Sequence, residues 1–251
     1  MTDQIPRVIA MDLDGTLLPK DKTITGHTLS VLRACREKGC LLVFATGRTY
    51  ETAKTYLDAV EPDAAVLSYG AHVIVNGGTV FRRFMSPAVA NRVLRLAAEA
   101  ECLRLQDETG QRYTCGREEA GCLPLRPDIP VTKRIDHICA WKLPEERAFS
   151  IARDTRCSLS QVCGPLWCNF SAYGCTKASG TRRAFGALGL APGTGIAFGD
   201  EDCDIGFFNI CGTGVAMANS DERTLAAARY VTGSCEEDGV AAFLERTYLN
   251  E

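Results

Sequence analysis

The sequence predicts an α/β protein: a Rossmann-like, mostly parallel sheet built by the two ends of the chain, with an α+β lobe inserted between them. Three observations predict it. Short, nearly all-apolar runs end abruptly in acidic, small or basic residues, at Asp12-Leu13-Asp14-Gly15-Thr16, Thr46-Gly47-Arg48 and Gly199-Asp200. Helix-like segments separate such runs toward both ends of the chain. The middle third instead carries the apolar and polar alternation of antiparallel strands.

Arg7 to Met11 is a short strand buried on both faces, bounded by Pro6, and it delivers Asp12. Thr25 caps a helix reaching about Lys38, with Gly39 at its C′ position, and Leu41 to Ala45 forms the second strand. A helix from about Thr49 to Ala59 and a third strand, Ala64 to Ser68, continue the parallel alternation. After Tyr69 the chain is expected to leave that sheet, because His72 to Val75 and Thr79 to Phe84 flank a hairpin-forming Asn-Gly-Gly. Ser86-Pro87 opens a helix to about Glu101. Strand-like runs follow at Leu103–Gln106, Gln111–Cys115, Ile135–Leu143, Ser158–Cys163 and Trp167–Ala172, interrupted by a helix over Pro144–Thr155. Trp141 and Trp167, at alternating strand positions, read as core of this lobe rather than as a stacking platform. Alternation resumes with a helix from Lys177 to Leu188 ended by Gly189, a strand Gly195–Phe198, a short helix, a strand Thr213–Met217 and a helix from Asp221. The expected division is residues 1–81 with 174–251 as the core and 82–173 as the lobe.

With 251 residues, 46% hydrophobic and 24% charged, the chain has the composition of a folded globular protein. A net charge of −3 and scattered arginines offer no cationic surface for nucleic acid. The N-terminal residues lack a basic segment followed by an apolar stretch, and no apolar run spans a bilayer, so the expectation is a cytoplasmic protein with no membrane or nucleic-acid partner. The thirteen cysteines are odd in number and contain no C-x-x-C, which reads as reduced thiols. A zinc site from Cys157, Cys163, Cys168 and Cys175 is set aside because these fall in alternating strands rather than paired knuckles.

In an open parallel sheet the ligand crevice lies outside the strands' carboxyl ends, where Asp12, Asp14, Thr46, Gly47, Asp200 and Asp204 are placed. Lys177 begins a helix, so its ammonium and the free backbone N–H groups favour an anion there. Ionised carboxylates about 4 Å apart repel by roughly 4 kcal/mol per pair at an effective dielectric near 20, which calls for a cation. Oxygen donors without His or Cys point to Mg2+, and phosphate, lysine and magnesium together describe phosphoryl transfer.

The ordered set of Asp-Leu-Asp-Gly-Thr, Ala-Thr-Gly-Arg, Lys177 and the Gly199 to Asp204 run resembles the haloacid dehalogenase superfamily. The insert between the Thr46 and Lys177 motifs, with Gly214 to Asn219 and Glu237 to Ala241, resembles its Cof-type phosphatases with a type IIB cap. The resemblance implies that Asp12 is the nucleophile, forming an aspartyl-phosphate, and that Asp14 is the general acid and then base. It implies Mg2+ held by Asp12, the backbone carbonyl of Asp14 and Asp200, with Asp204 orienting metal waters or Lys177. Thr46, Gly47 and Lys177 would bind the substrate phosphate, Arg48 would support the loop, and the cap would close over the crevice to read a sugar phosphate or similar small phosphomonoester. Two departures stand out. Cys203 replaces the Asn usual before the last Asp, and Tyr69-Gly70-Ala71 replaces Asn-Gly-Ala. Two rival readings are a sugar phosphomutase using the same aspartates and a non-catalytic sensor of a phosphorylated metabolite; the second leaves the pairing of Asp12 with Asp14 unexplained.

Overall fold

Parallel strands that are buried on both faces require helices on both faces, and the chain supplies them from its two ends. The computed structural model describes residues 6–126, 129–162 and 167–249. Contacts divide the chain into two compact units: one runs to Phe81 and resumes at Lys177, and the other spans Arg82–Thr176.

In the first unit the elements are β1 (Val8–Met11), α1 (Gly26–Glu37), β2 (Leu41–Ala45), α2 (Tyr50–Val60), β3 (Ala64–Leu67), β4 (His72–Val75) and β5 (Gly78–Arg82). After the insertion come α5 (Lys177–Ala187), β12 (Gly195–Gly199), α6 (Ile205–Cys211), β13 (Gly212–Ala216), α7 (Glu222–Ala227), β14 (Tyr230–Val231) and α8 (Gly239–Leu244). They build a sheet of order β14-β13-β12-β1-β2-β3-β4-β5. Central β1 pairs in parallel with β2 and β12, Val8 lying opposite both Leu41 and Gly195. Alternate residues feed different layers. Ile9, Met11, Leu42, Phe44, Ile196 and Phe198 enter one apolar core with α1, α2 and α8. Val8, Ala10, Val43, Ala45 and Ala197 enter another with α5 and α6. At the N-terminus of α1 the Thr25 hydroxyl accepts from Thr28 N at 3.0 Å and donates to Asp238 Oδ1 at 2.9 Å.

The chain does not leave the sheet after Tyr69. The left-handed turn at Ser68 and Tyr69 reverses its direction, and β4 extends the same sheet antiparallel to β3, with Leu67 opposite His72. Asn76 and Gly77, both at positive φ, form the tight turn into β5.

In the second unit the elements are α3 (Pro87–Leu96), β6 (Cys102–Asp107), β7 (Arg112–Cys115), β8 (Cys122–Pro124), β9 (Ile135–Trp141), α4 (Glu145–Thr155), β10 (Ser158–Val162) and β11 (Trp167–Ser171). Their sheet has the order β10-β11-β9-β6-β7-β8 and is antiparallel except between β7 and β8. Helix α3 is shorter than the sequence suggests, because Glu101 N donates to Trp141 O and so belongs to the strand ladder. Strand β8 has no counterpart among the expected elements. The expected last residue of the Ser158 strand, Cys163, lies outside the described residues.

Ala140 and Cys168 pack into the core beneath α3 and α4, so the two-residue period turns Trp141 and Trp167 to the opposite face. There they are half-buried, their rings 4.7 Å apart and Arg104 over Trp167 at 4.9 Å. The expectation that both belong to the lobe core therefore fails, because each lies one residue out of phase with it. Among the described residues no helix is long and apolar enough to cross a membrane.

Phe44 has no exposed surface and sits in the centre of the sheet. Phe44→Ala is expected to cost about 3–5 kcal/mol in urea unfolding, and Thr25→Ala about 1 kcal/mol. Equal, small losses would contradict this packing.

Candidate active site

The order of the central strands places the ends of β1, β2 and β12 side by side, because the chain runs from β1 toward β2 and returns on the other side as β12. Asp12 directly follows β1, its N–H donating to Phe198 O at 3.0 Å. Leu13 is fully buried and its carbonyl accepts from Leu17 and Leu18, which bends the chain into a tight loop and leaves Asp12 and Asp14 on either side of an apolar anchor. Gly15 has φ +82°, and a Cβ there would intrude on the Asp200 carboxylate. Thr16 Oγ1 donates to Asp200 Oδ1 at 2.7 Å, and Asn219 Nδ2 donates to Gly15 O at 2.8 Å.

Asp12, Asp200 and Asp204 each bring a carboxylate oxygen within 4.8 Å of the others. Lys177, the first residue of α5, places Nζ 3.0 Å from Asp12 Oδ1 and donates to Asp204 Oδ1 at 2.7 Å. Asp204 Oδ2 accepts from the backbone of Asp200 and Glu201 at 3.1 and 3.2 Å. Asp204 thus accepts from a lysine and from two backbone amides. Asp12 is only 3% exposed, and its buried Oδ1 meets the Lys177 ammonium at 3.0 Å.

Burial is the main reason the Asp12 carboxyl lies well above the usual range; Lys177 opposes the shift, and Asp204 and Asp200 add to it. Burial, then the Asp204 carboxylate, pushes Asp200 up to about 8 against the Thr16 hydrogen bond. Burial disfavours the Lys177 charge, but Asp12 and Asp204 outweigh it and raise its pKa. Three buried carboxylates crowded against a single ammonium fit a hard divalent cation, and every ligand atom the three offer is oxygen.

The Asp14 side chain lies outside this group. Burial alone would raise its pKa, yet hydrogen bonds from Arg48 and Lys22 hold it below the usual range. Arg48 grips it with two bonds, Nε to Oδ2 at 2.6 Å and Nη2 to Oδ1 at 2.7 Å, and Lys22 Nζ reaches Oδ1 at 2.8 Å. The sequence expectation that Asp14 carries a proton is not met in this arrangement, because two cations favour its ionised form. Arg48 itself lies over Tyr56 and donates to Thr52 O. Thr46 is buried at the end of β2, its hydroxyl accepting from Arg48 N at 3.2 Å, and Gly47 follows.

Cys203 is half-buried, its Sγ 3.9 Å from Asp204 Oδ1, and burial pushes its thiol well up. Cys157, Cys168 and Cys175 are buried free thiols, and Cys163 lies outside the described residues. None of the three histidines joins the acidic group; His27 has Glu245 at 3.1 Å, a partner distant in sequence, and His137 has its sequence neighbour Asp136 at 3.6 Å. Sequence reasoning also gave no role to Thr16, Lys22 or Asn219. The Thr two residues after Asp14 was a readable signal for the first, and Asn219 closes the Gly214 to Asn219 run that carries part of the resemblance; Lys22 had no signal.

The sequence pattern of the haloacid dehalogenase-like hydrolases matches residues 9–120 and 160–244. The chain is 25% identical over 264 residues to the 5-amino-6-(5-phospho-D-ribitylamino)uracil phosphatase YitU of Bacillus subtilis strain 168, covering 97% of this chain and 98% of that one. It is 28% identical over 262 residues to an HMP-PP phosphatase of Enterobacter sp. strain 638, covering 95% and 94%. Among solved structures, a sugar phosphatase of haloacid dehalogenase subclass IIB shares the fold with a TM-score of 0.80 at 21% identity, over 96% of this chain and 98% of that chain.

The Asp200 shift sets a pH dependence. Folding raises this pKa, so without a cation the neutral form stabilises the fold at low pH, and that contribution fades as pH rises toward about 8. A dication needs the ionised form. The rise in melting temperature caused by adding magnesium after chelation should be larger at about pH 9 than at about pH 6; an equal rise at both, or none, would contradict the assignment.

Proposed function

The chain belongs to the haloacid dehalogenase-like hydrolases, and from that footing we propose that it is a magnesium-dependent phosphomonoesterase working through an aspartyl-phosphate on Asp12. Phosphatase action on a phosphorylated small molecule is the activity its family and named relatives support. The observation that carries the finer reading is the Asp12 carboxylate, buried beside Lys177 and crowded by the carboxylates of Asp200 and Asp204.

An Asp12 oxygen attacks phosphorus, the phosphorus–oxygen ester bond breaks, and the departing alkoxide takes a proton from Asp14. Water then attacks the same phosphorus, giving a proton to Asp14, and the bond to Asp12 breaks to release inorganic phosphate. Asp12, Asp200 and the backbone carbonyl of Asp14 would hold Mg2+, which when bound supplies positive charge against the phosphoryl oxygens. Lys177 adds its fixed charge, and Asp204 keeps it aimed. Thr46 and the backbone of Gly47 take the remaining phosphoryl oxygens.

For the first step Asp14 must carry a proton, so it must exchange the Arg48 and Lys22 contacts for the leaving group. Reading of the organic half is assigned to residues of the Arg82–Thr176 unit. A phosphate borne on a polyol or sugar is favoured: the substrate named for the B. subtilis relative carries its phosphate on a ribityl chain.

A screen of phosphorylated metabolites for phosphate release tests this. Release should require magnesium, stop with chelator, and fall on the order of 10^3-fold or more in Asp12→Asn. Activity surviving both treatments would refute the mechanism. Isomer in place of free phosphate, given a sugar monophosphate with a trace of its bisphosphate, would instead establish a mutase; binding without turnover would establish a sensor.

A further inference from the structure

The Ser68-Tyr69-Gly70 turn after β3 takes no part in the chemistry above, and its backbone is unusual. Ser68 and Tyr69 both hold left-handed conformations, φ 49° and 52°, and Gly70 follows at 87°. Such geometry is disfavoured for residues with a Cβ and persists only where the surroundings enforce it. Here Ser68 N donates to Arg48 O at 2.8 Å and Tyr69 N to Thr46 O at 3.2 Å, so the turn is bonded to both ends of the Thr46-Gly47-Arg48 loop. Tyr69 is 8% exposed, and its ring lies against Gly47 so closely that a Cβ on that glycine would overlap the ring. On the far side of the turn, a Cβ on Gly180, one helical turn beyond Lys177, would come within 2.9 Å of Gly70 Cα. The turn is thus wedged between the two segments assigned to the phosphoryl group.

We propose that Tyr69 is a positioning residue for the phosphate loop, its ring the fixed surface on which the Gly47 backbone is set. The inference rests on the assignment of Thr46 and Gly47 to phosphoryl oxygens. A loop glycine has wide backbone freedom, and an amide that must meet an anion binds well only if its direction is settled beforehand. A buried aromatic ring pressed on that glycine removes the freedom. The surface that Gly47 meets is the phenol end of the ring, Cζ, Cε2 and the hydroxyl oxygen.

The test measures inhibition by inorganic phosphate, together with KM and kcat for p-nitrophenyl phosphate, in the wild type, Tyr69→Phe, Tyr69→Ala, Gly47→Ala and the double variant. Tyr69→Phe keeps the ring and loses only the hydroxyl oxygen, so it should weaken phosphate affinity less than Tyr69→Ala does. Tyr69→Ala should weaken it about tenfold to a hundredfold and raise KM more than it lowers kcat. Gly47→Ala should lose phosphate binding because its methyl meets the ring, and Gly47→Ala with Tyr69→Ala should bind phosphate better than Gly47→Ala alone. The magnesium-induced rise in melting temperature reports whether each variant keeps its acidic cluster; should Tyr69→Ala not fold, Tyr69→Leu gives the same reading. Unchanged affinity in Tyr69→Ala, a loss in Tyr69→Phe equal to it, or a double variant no better than Gly47→Ala would overturn the role while leaving the phosphatase intact. A wild type that neither releases phosphate nor is inhibited by it overturns the loop assignment and this role with it.

Discussion

Three carboxylates converge where β1 and β12 end, and Lys177 is the cation that stands among them. Fully ionised, Asp12, Asp200 and Asp204 with that one ammonium leave two negative charges in a buried space. Each carboxylate pair at such separations repels by roughly 3 to 4 kcal/mol at an effective dielectric near 20. The protein answers in two ways. It holds Asp204 tightly to Lys177 and two backbone amides, and it lets Asp12 and Asp200 rise toward their neutral forms. A dication would remove the residual charge without protons, so the crowding of the three carboxylates would itself supply affinity for one.

Only the completed sheet produces this crowding. Asp12 and Asp200 are far apart in sequence, and parallel pairing of β1 with β12 brings their strands together in register, Met11 beside Phe198. The glycines fix how close the segments come: Gly15 admits the Asp200 carboxylate, and Gly199 admits the Asp204 side chain, which a Cβ would displace. Packing on the two sides of the sheet then holds the strand ends still, because successive residues of β1 and β2 are locked into separate cores.

Much of this was legible in the sequence, for identifiable reasons. Strands buried on both faces and ended by Asp12, Thr46 and Asp200 announce a parallel sheet and its crevice, since apolar runs and abrupt polar ends are local signals. What escaped depended on direction rather than residue type. Strands β4 and β5 read as leaving the sheet because a hairpin pattern does not say which edge it joins. Trp141 and Trp167 read as core because hydrophobicity does not reveal which phase of the alternation faces the helices. The partners of Asp14 were missed because Lys22 and Arg48 reach it across a loop and a neighbouring strand, a meeting that no spacing encodes.

Asp12 and Asp14 show how two identical side chains, two residues apart, acquire opposite properties. Leu13 between them is buried, so the chain must turn its flanking carboxylates to different surroundings. Asp12 points into the buried cluster, where desolvation and like charges raise its pKa despite Lys177. Asp14 points toward Arg48 and Lys22, two cations that lower it. Phosphoryl transfer through Asp12 needs the reverse order of protonation, an ionised nucleophile and a neutral acid. The reversal requires two separate events: positive charge arriving beside Asp12, and withdrawal of Asp14 from its arginine. On the proposed mechanism the first would depend on the cation and the second on the substrate's leaving group, so neither ligand alone would ready both carboxylates.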